Sequence, residues 1–161
     1  MNTFLVQVSP KKAGADLAGN ALLAEIREDL GFSEIAEIRS ATLFELTSGL
    51  PRETVLSLCE NLFFDPVSEE FSVDSDLFEG FNFCLEIGFI AGVTDNLALT
   101  AMRGIEDFLG KKLGENESVK SRRLYFFWGN LFEEKVRAIA VQKLFNPLIE
   151  EIRVRRGKQN E

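Results

Sequence analysis

Histidine is absent from this sequence. Its absence excludes Ser-His-Asp and Cys-His catalysis and any His-ligated metal site. Carboxylates, lysine and tyrosine are then the groups left for acid–base work. Cysteine is scarce: Cys59 and Cys84 are too few for a disulfide framework. Cys59 falls on the apolar stripe Val55, Leu58, Cys59, Leu62 and reads as a buried thiol. Positive charge is also short. Lys and Arg number 18 against 26 Asp and Glu, a formal net charge of -8. That is the wrong sign for displacing counterions from phosphates, so nucleic acid is not an expected partner. No apolar run approaches the ~20 residues that span a bilayer, so no membrane partner is expected either. Met1 to Pro10 lacks the basic start and long apolar core of a secretory signal, and a cytoplasmic home is expected. No phosphate-cradling glycine-rich loop is present, so no ATP site is predicted.

What the chain does have is apolar mass and repetition. Its hydrophobic content is 45%, with 15 Phe, enough to bury a substantial core. The run from Phe64 to Val73 recurs from Phe145 to Val154, with Phe, Pro, both Glu and the final Val identical in place. At the same spacing, Ser40, Leu43, Leu50, Glu53 and Val55 match Ser121, Leu124, Leu131, Glu134 and Val136. Two residues closer together, Phe4, Val6, Val8, Asp16, Ile26 and Leu30-Gly31 match Phe83, Leu85, Ile87, Asp95, Ile105 and Leu109-Gly110. The length difference falls in Lys111 to Ser118, a Gly- and Glu-rich loop where insertion costs little.

Each copy reads as β-α-β-β-α-β. Phe4 to Val8 alternates as a half-buried strand does. Asp16 is a helix N-cap, Leu22, Ile26 and Leu30 form a helical stripe, and Gly31 closes it. Ile35 to Arg39 and Leu43 to Thr47 read as two strands around a tight turn. Pro51 opens a second helix with Val55, Leu58 and Leu62 inward, Asp65-Pro66 stops it, and Glu70 to Val73 is a last strand. In the second copy Asp95 caps a helix striped by Met102, Ile105 and Leu109, and Asn130 with Glu133 suggests a capping box. Val136, Ile139 and Ala140 face inward before the Asn146-Pro147 stop. The fold class is therefore α+β: two tandem repeats making a pseudo-dimer, with antiparallel-rich sheets and helices on one face. The expected division is repeat 1 over 1–74, a linker over 75–80, repeat 2 over 81–156 and a tail over 157–161.

Several stretches add to a family resemblance. In the first copy they are Lys11, Asp16 and Gly19, then Ile38-Arg39 with Leu43-Phe44, then Asp65-Pro66-Val67. In the second they are Gly92-Val93-Thr94-Asp95, Leu109-Gly110, Val119-Lys120, Arg123-Leu124-Tyr125 and Asn146-Pro147-Leu148-Ile149-Glu150. In this order each repeat resembles the small PurS subunit of phosphoribosylformylglycinamidine synthase. Ala13, Ala41 and Arg122 stand where that family has glycine. The resemblance implies a subunit with no catalytic residues, acting as a dimer that bridges an ATP-dependent synthetase subunit (PurL) and a glutaminase subunit (PurQ) in purine biosynthesis. It implies no cofactor or metal on this chain, since ATP, Mg and glutamine are used by the partner subunits. The tandem arrangement is similar to the N-terminal domain of the long single-chain synthetase. Further self-association is compatible with it. The rival reading is a regulatory domain that binds a small molecule between paired units.

The partner-interface candidates are Lys11, Arg39, Arg123, Tyr125 and Phe127. The two arginines and the lysine offer charge, and the aromatics lie on Leu124 to Trp128, a strand apolar on both faces that needs cover on both. That cover is expected from the other repeat or from another protein. Asp16 and Asp95 read as caps rather than ligands. Asp74, Asp76 and Glu79 read as a solvated linker rather than a calcium loop. Arg153, Arg155, Arg156 and Lys158 read as a frayed basic end, with docking to an acidic partner as the alternative.

Overall fold

A computed structural model describes residues 1–158; the rest of the expected tail, Gln159 to Glu161, lies outside the described residues. Among the described residues, six strands and four α-helices follow one another along the chain. The first copy gives β1 (Asn2–Pro10), α1 (Leu17–Glu25), β2 (Ile35–Ser48), α2 (Arg52–Leu58) and β3 (Glu69–Val73). The second gives β4 (Phe83–Phe89), α3 (Asn96–Leu109), β5 (Ser118–Gly129), α4 (Glu133–Ile139) and β6 (Glu150–Arg156). The strands form one sheet in the order β3-β1-β2-β5-β4-β6. The pairs β1–β2, β1–β3 and β4–β6 are antiparallel.

The two strands expected around a tight turn are the two ends of one continuous strand, β2; likewise β5 runs unbroken. Ser40-Ala41-Thr42 carries no glycine or proline and stays extended. Counted by its ends, each copy keeps the order β-α-β-β-α-β.

Those ends belong to different compact units. Unit 1 gathers 1–11, 42–77 and 94–122; unit 2 gathers 12–41, 78–93 and the described residues from 123 onward. The repeats are units of sequence, and the compact units interleave them. In unit 1, β1 and the far end of β2 supply Phe4, Val6, Val8, Phe44 and Leu46 to a core shared with Val55, Leu58 and Phe63 of the first copy. Ala98 and Ile105, on α3 of the second copy, complete it. In unit 2 the exchange is reversed. Leu22 and Ile26 of α1 pack with Phe83, Leu85, Ile87, Tyr125, Phe127, Val136 and Ile139. Each unit thus has one helix from either copy lying against its strands.

Three local expectations change. Each of α1, α2 and α4 ends in a π-helical turn: Ile26–Leu30, Cys59–Phe63 and Ala140–Leu144. A π turn bonds i to i+5 rather than i+4. Phe63, five residues after the buried Leu58, is therefore the one that turns inward, and Leu62 sits at the rim beside Gly104. The N-cap of α4 is Phe132, with no side-chain cap, so Asn130 does not cap and Glu133 is the first helical residue. The basic end is not frayed: Arg153, Arg155 and Arg156 lie on β6, paired with β4 from Phe83 to Phe89. The expected closing residues hold their places, with Gly31 and Gly110 both left-handed at φ 65° and 68°.

Candidate functional site

Two equivalent carboxylates tie each copy's first helix to its long strand. Asp16 caps α1 by accepting from the Gly19 N–H (2.9 Å). The same carboxylate accepts from the Ser40 N–H and hydroxyl, each at 2.6 Å, and from Arg39 Nε at 3.3 Å. Asp95 does likewise, accepting from the Ala98 N–H (3.0 Å) and from the Ser121 N–H and hydroxyl, each at 2.7 Å. Asp16 is only 1% exposed. Buried carboxylates need such partners, and these acceptors are spent within the chain. Both aspartates are structural ties. Gly19 is required where the strand comes close: a Cβ there would lie 2.6 Å from the Ile38 carbonyl oxygen.

The residues singled out from sequence separate into two groups. Arg39 is buried, held by Asp16, with its guanidinium 4.5 Å from the centre of the Phe78 ring. Tyr125 is buried and Phe127 fully so, both in the core of unit 2. Lys11 and Arg123 lie toward solvent, and each fastens a chain turn. The Lys11 ammonium donates to the Pro66 carbonyl, and Arg123 Nη2 donates to the Leu144 carbonyl (2.9 Å) and meets Glu150 at 3.1 Å.

The second face of Leu124–Trp128 is covered from a direction the sequence did not suggest. Phe78 and Phe81, at the end of the acidic linker, lie edge-on to Phe126 with ring centres 5.1 and 4.9 Å away. Trp128 Nε1 donates to the Glu79 carbonyl (3.1 Å). The signal was present as Phe78 in the stretch read as a solvated linker and Phe81 at the start of the second repeat. The linker's acids are likewise engaged. Asp74, at φ 60°, accepts from the Leu5 N–H (2.8 Å) and pairs with Arg52 (2.8 Å), and Asp76 accepts from the Gln7 amide (2.9 Å).

Among the described residues no three His, Cys, Asp or Glu side chains are grouped to hold a metal. Burial, with Glu60 beside it, pushes the Cys59 thiol up to about 11, so it is no thiolate near neutrality. Glu117 is held below the usual carboxylate range by the Gly114 and Gly49 N–H groups and the Ser48 hydroxyl, and secures the loop before β5. Among the described residues no helix is long and apolar enough to cross a membrane.

What the surface does offer is a duplicated feature. After α2 and after α4, an Asx-Pro turn is built the same way: Glu69 accepts from the Asp65 N–H and Glu150 from the Asn146 N–H, each at 2.9 Å. The turns present Val67 and Leu148, 85% and 80% exposed. They are alike in build and different in side chain.

The family model of PurS, described as phosphoribosylformylglycinamidine (FGAM) synthase, matches residues 3–76. This span runs from the start of β1 to just past β3, the whole of the first repeat. No curated protein matches the chain.

Proposed function

We propose that this chain, whose first repeat is a PurS unit and whose second repeats its elements, is a non-catalytic assembly subunit of FGAM synthase, the amidine-forming step of purine biosynthesis. In this reading it bridges the ATP-dependent synthetase subunit and the glutaminase subunit. The match over residues 3–76 carries the assignment to that enzyme. The bridging role is supported by the form of the chain. Its candidate carboxylates are consumed by caps and ion pairs, as suits a part whose work is contact rather than turnover. Two joined copies present equivalent turns with unlike tips, Val67-Ser68 and Leu148-Ile149, as a bridge between two different proteins requires. Covalent linkage also holds the halves at high effective concentration, so assembly loses little association entropy.

The test is to mix the purified chain with the synthetase and glutaminase subunits of the same organism, with ADP and glutamine present. Light scattering on a sizing column should show a joint peak, and glutamine-dependent amidine formation should need this chain. Full assembly and activity of the other two without it would overturn the reading. Saturable binding of a metabolite to the isolated chain would then favour the regulatory alternative.

A further inference from the structure

Among the described residues, β6 ends the sheet and pairs only with β4. Flanking bonds fix which of its groups point outward. Gly157 N–H donates to Asn82 (2.9 Å) and Ile90 N–H to Ile149 (3.0 Å). In an antiparallel ladder the narrow pairs alternate, so residues 151, 153 and 155 turn their backbone groups to β4, as do the Ile149 carbonyl and the Gly157 N–H. Ile152, Val154 and Arg156 turn theirs away, as does the carbonyl of Glu150, whose N–H is used by Asn146 (2.8 Å). Such an edge is a template for another strand unless it is guarded, commonly by charge.

The charges here follow a different logic. The opposite edge, β3, begins Glu69-Glu70, one sign only. β6 reads Glu-Glu-Ile-Arg-Val-Arg-Arg, acidic at one end and basic at the other. Laid antiparallel on itself with Arg153 at the centre, it sets Glu150 opposite Arg156 and Glu151 opposite Arg155, twice each. Ile152 meets Val154 on the face that adjoins the core of unit 2. This register places the outward pairs 152–154 and 150–156 where the narrow hydrogen bonds must form. Moving the centre toward Ile152 halves the ion pairs, and moving it toward Val154 sets Arg153 against Arg155. The two Arg153 side chains meet at the axis, each with a Glu151 of the other copy diagonally beside it.

We propose that β6 is a self-association edge, on which a second copy of this chain adds its own β6 antiparallel about Arg153. Arg155 keeps its Glu86 partner at 3.5 Å and gains Glu151 of the second copy. Opposite charges directly across strands favour the pair, and like charges there oppose it. The proposal is independent of the synthase assignment and concerns the chain alone.

Sedimentation velocity of the full chain over a concentration series tests it. The wild type should run as a dimer that weakens in high salt. Glu151→Lys sets Lys against Arg155, and Arg155→Glu sets Glu against Glu151; each alone should weaken dimerisation about tenfold or more. Mixed in equal amounts, the two variants should dimerise with each other, because both 151–155 pairs are then opposite in sign. Val154→Pro removes an outward N–H and no ladder bond to β4, so it should abolish the dimer while Trp128 emission shows the fold intact. A wild type that stays monomeric throughout overturns the proposal. So does a dimer that ignores Glu151→Lys and Val154→Pro, or a mixture of the two charge variants that fails to associate.

Discussion

Asp16 and Asp95 do the same work with unequal stakes. Removing Asp95 deletes a cap and leaves the Ser121 groups to find water, at a cost of about 1–2 kcal/mol. Removing Asp16 also takes a carboxylate from beside a buried guanidinium, since Arg39 is only 8% exposed. Breaking a buried pair from one side costs about 3–5 kcal/mol. Urea unfolding should therefore show Asp16→Ala clearly more destabilised than Asp95→Ala, and equal losses would argue against a buried-charge role. Glu117 sets a pH dependence of defined sign. Its folded pKa lies below its usual 4.5, so the stability it adds is present above that value and is lost as pH falls through the folded pKa. Between roughly pH 5 and 3, Glu117→Gln should lose less stability than the wild type. Both aspartates are legible in the sequence, because the repeats match Asp with Asp and Ser with Ser, at spacings that differ only by the loop insertion. Glu117 is not. It falls in the loop where the copies differ in length, and its partners, Ser48 and Gly49, lie far away in the chain.

At the scale of elements, the strand apolar on both faces was correctly marked as needing two covers, and one of them was misplaced. A linker earns its acidic reading from composition, but composition does not say that Phe78 and Phe81 fold back. Trp128, the single tryptophan, reports on that cover. Phe78→Ala should shift its emission to the red with the cooperative transition retained. Phe81→Ala, which empties a buried site, should cost about 3–5 kcal/mol by thermal unfolding. Other elements follow the sequence closely where the signal is local: Gly31, Gly110 and the two Asx-Pro stops all sit where backbone chemistry puts them. The continuity of β2 is not local. Ser40-Ala41-Thr42 resembles a turn in sequence, yet β2 runs straight through it as one strand of the sheet, so tertiary pairing outweighs propensity. The π turns are hidden for a similar reason, since a stripe read at 3.6 residues per turn drifts by one position where the helix widens.

For the whole molecule, two copies are visible in the sequence and their interleaving is not. The stripe of Leu22 and Ile26 is equally apolar whichever partner buries it, and only packing at long range decides. The consequence is testable by cutting the chain. Residues 1–77 alone lose α3, and with it Ala98 and Ile105 from the core around Val55 and Leu58. That piece should show no concentration-independent cooperative unfolding. Mixed with 78–161, it should regain the circular dichroism and the unfolding transition of the intact chain. Cooperative unfolding of the isolated piece as a monomer would mean that α3 is dispensable.

The same exchange governs how the chain must be born. Helix α1 is made early, but the strands and helix that bury it span Phe83 to Arg156, near the C-terminal end. At typical ribosomal speeds that interval is on the order of ten seconds. Throughout it, the nascent N-terminal half carries an uncovered apolar stripe at Leu22 and Ile26. Synthesis therefore cannot finish one half before starting the other. Both halves must complete folding together, after β6 leaves the ribosome, and chaperone demand should peak just before that point.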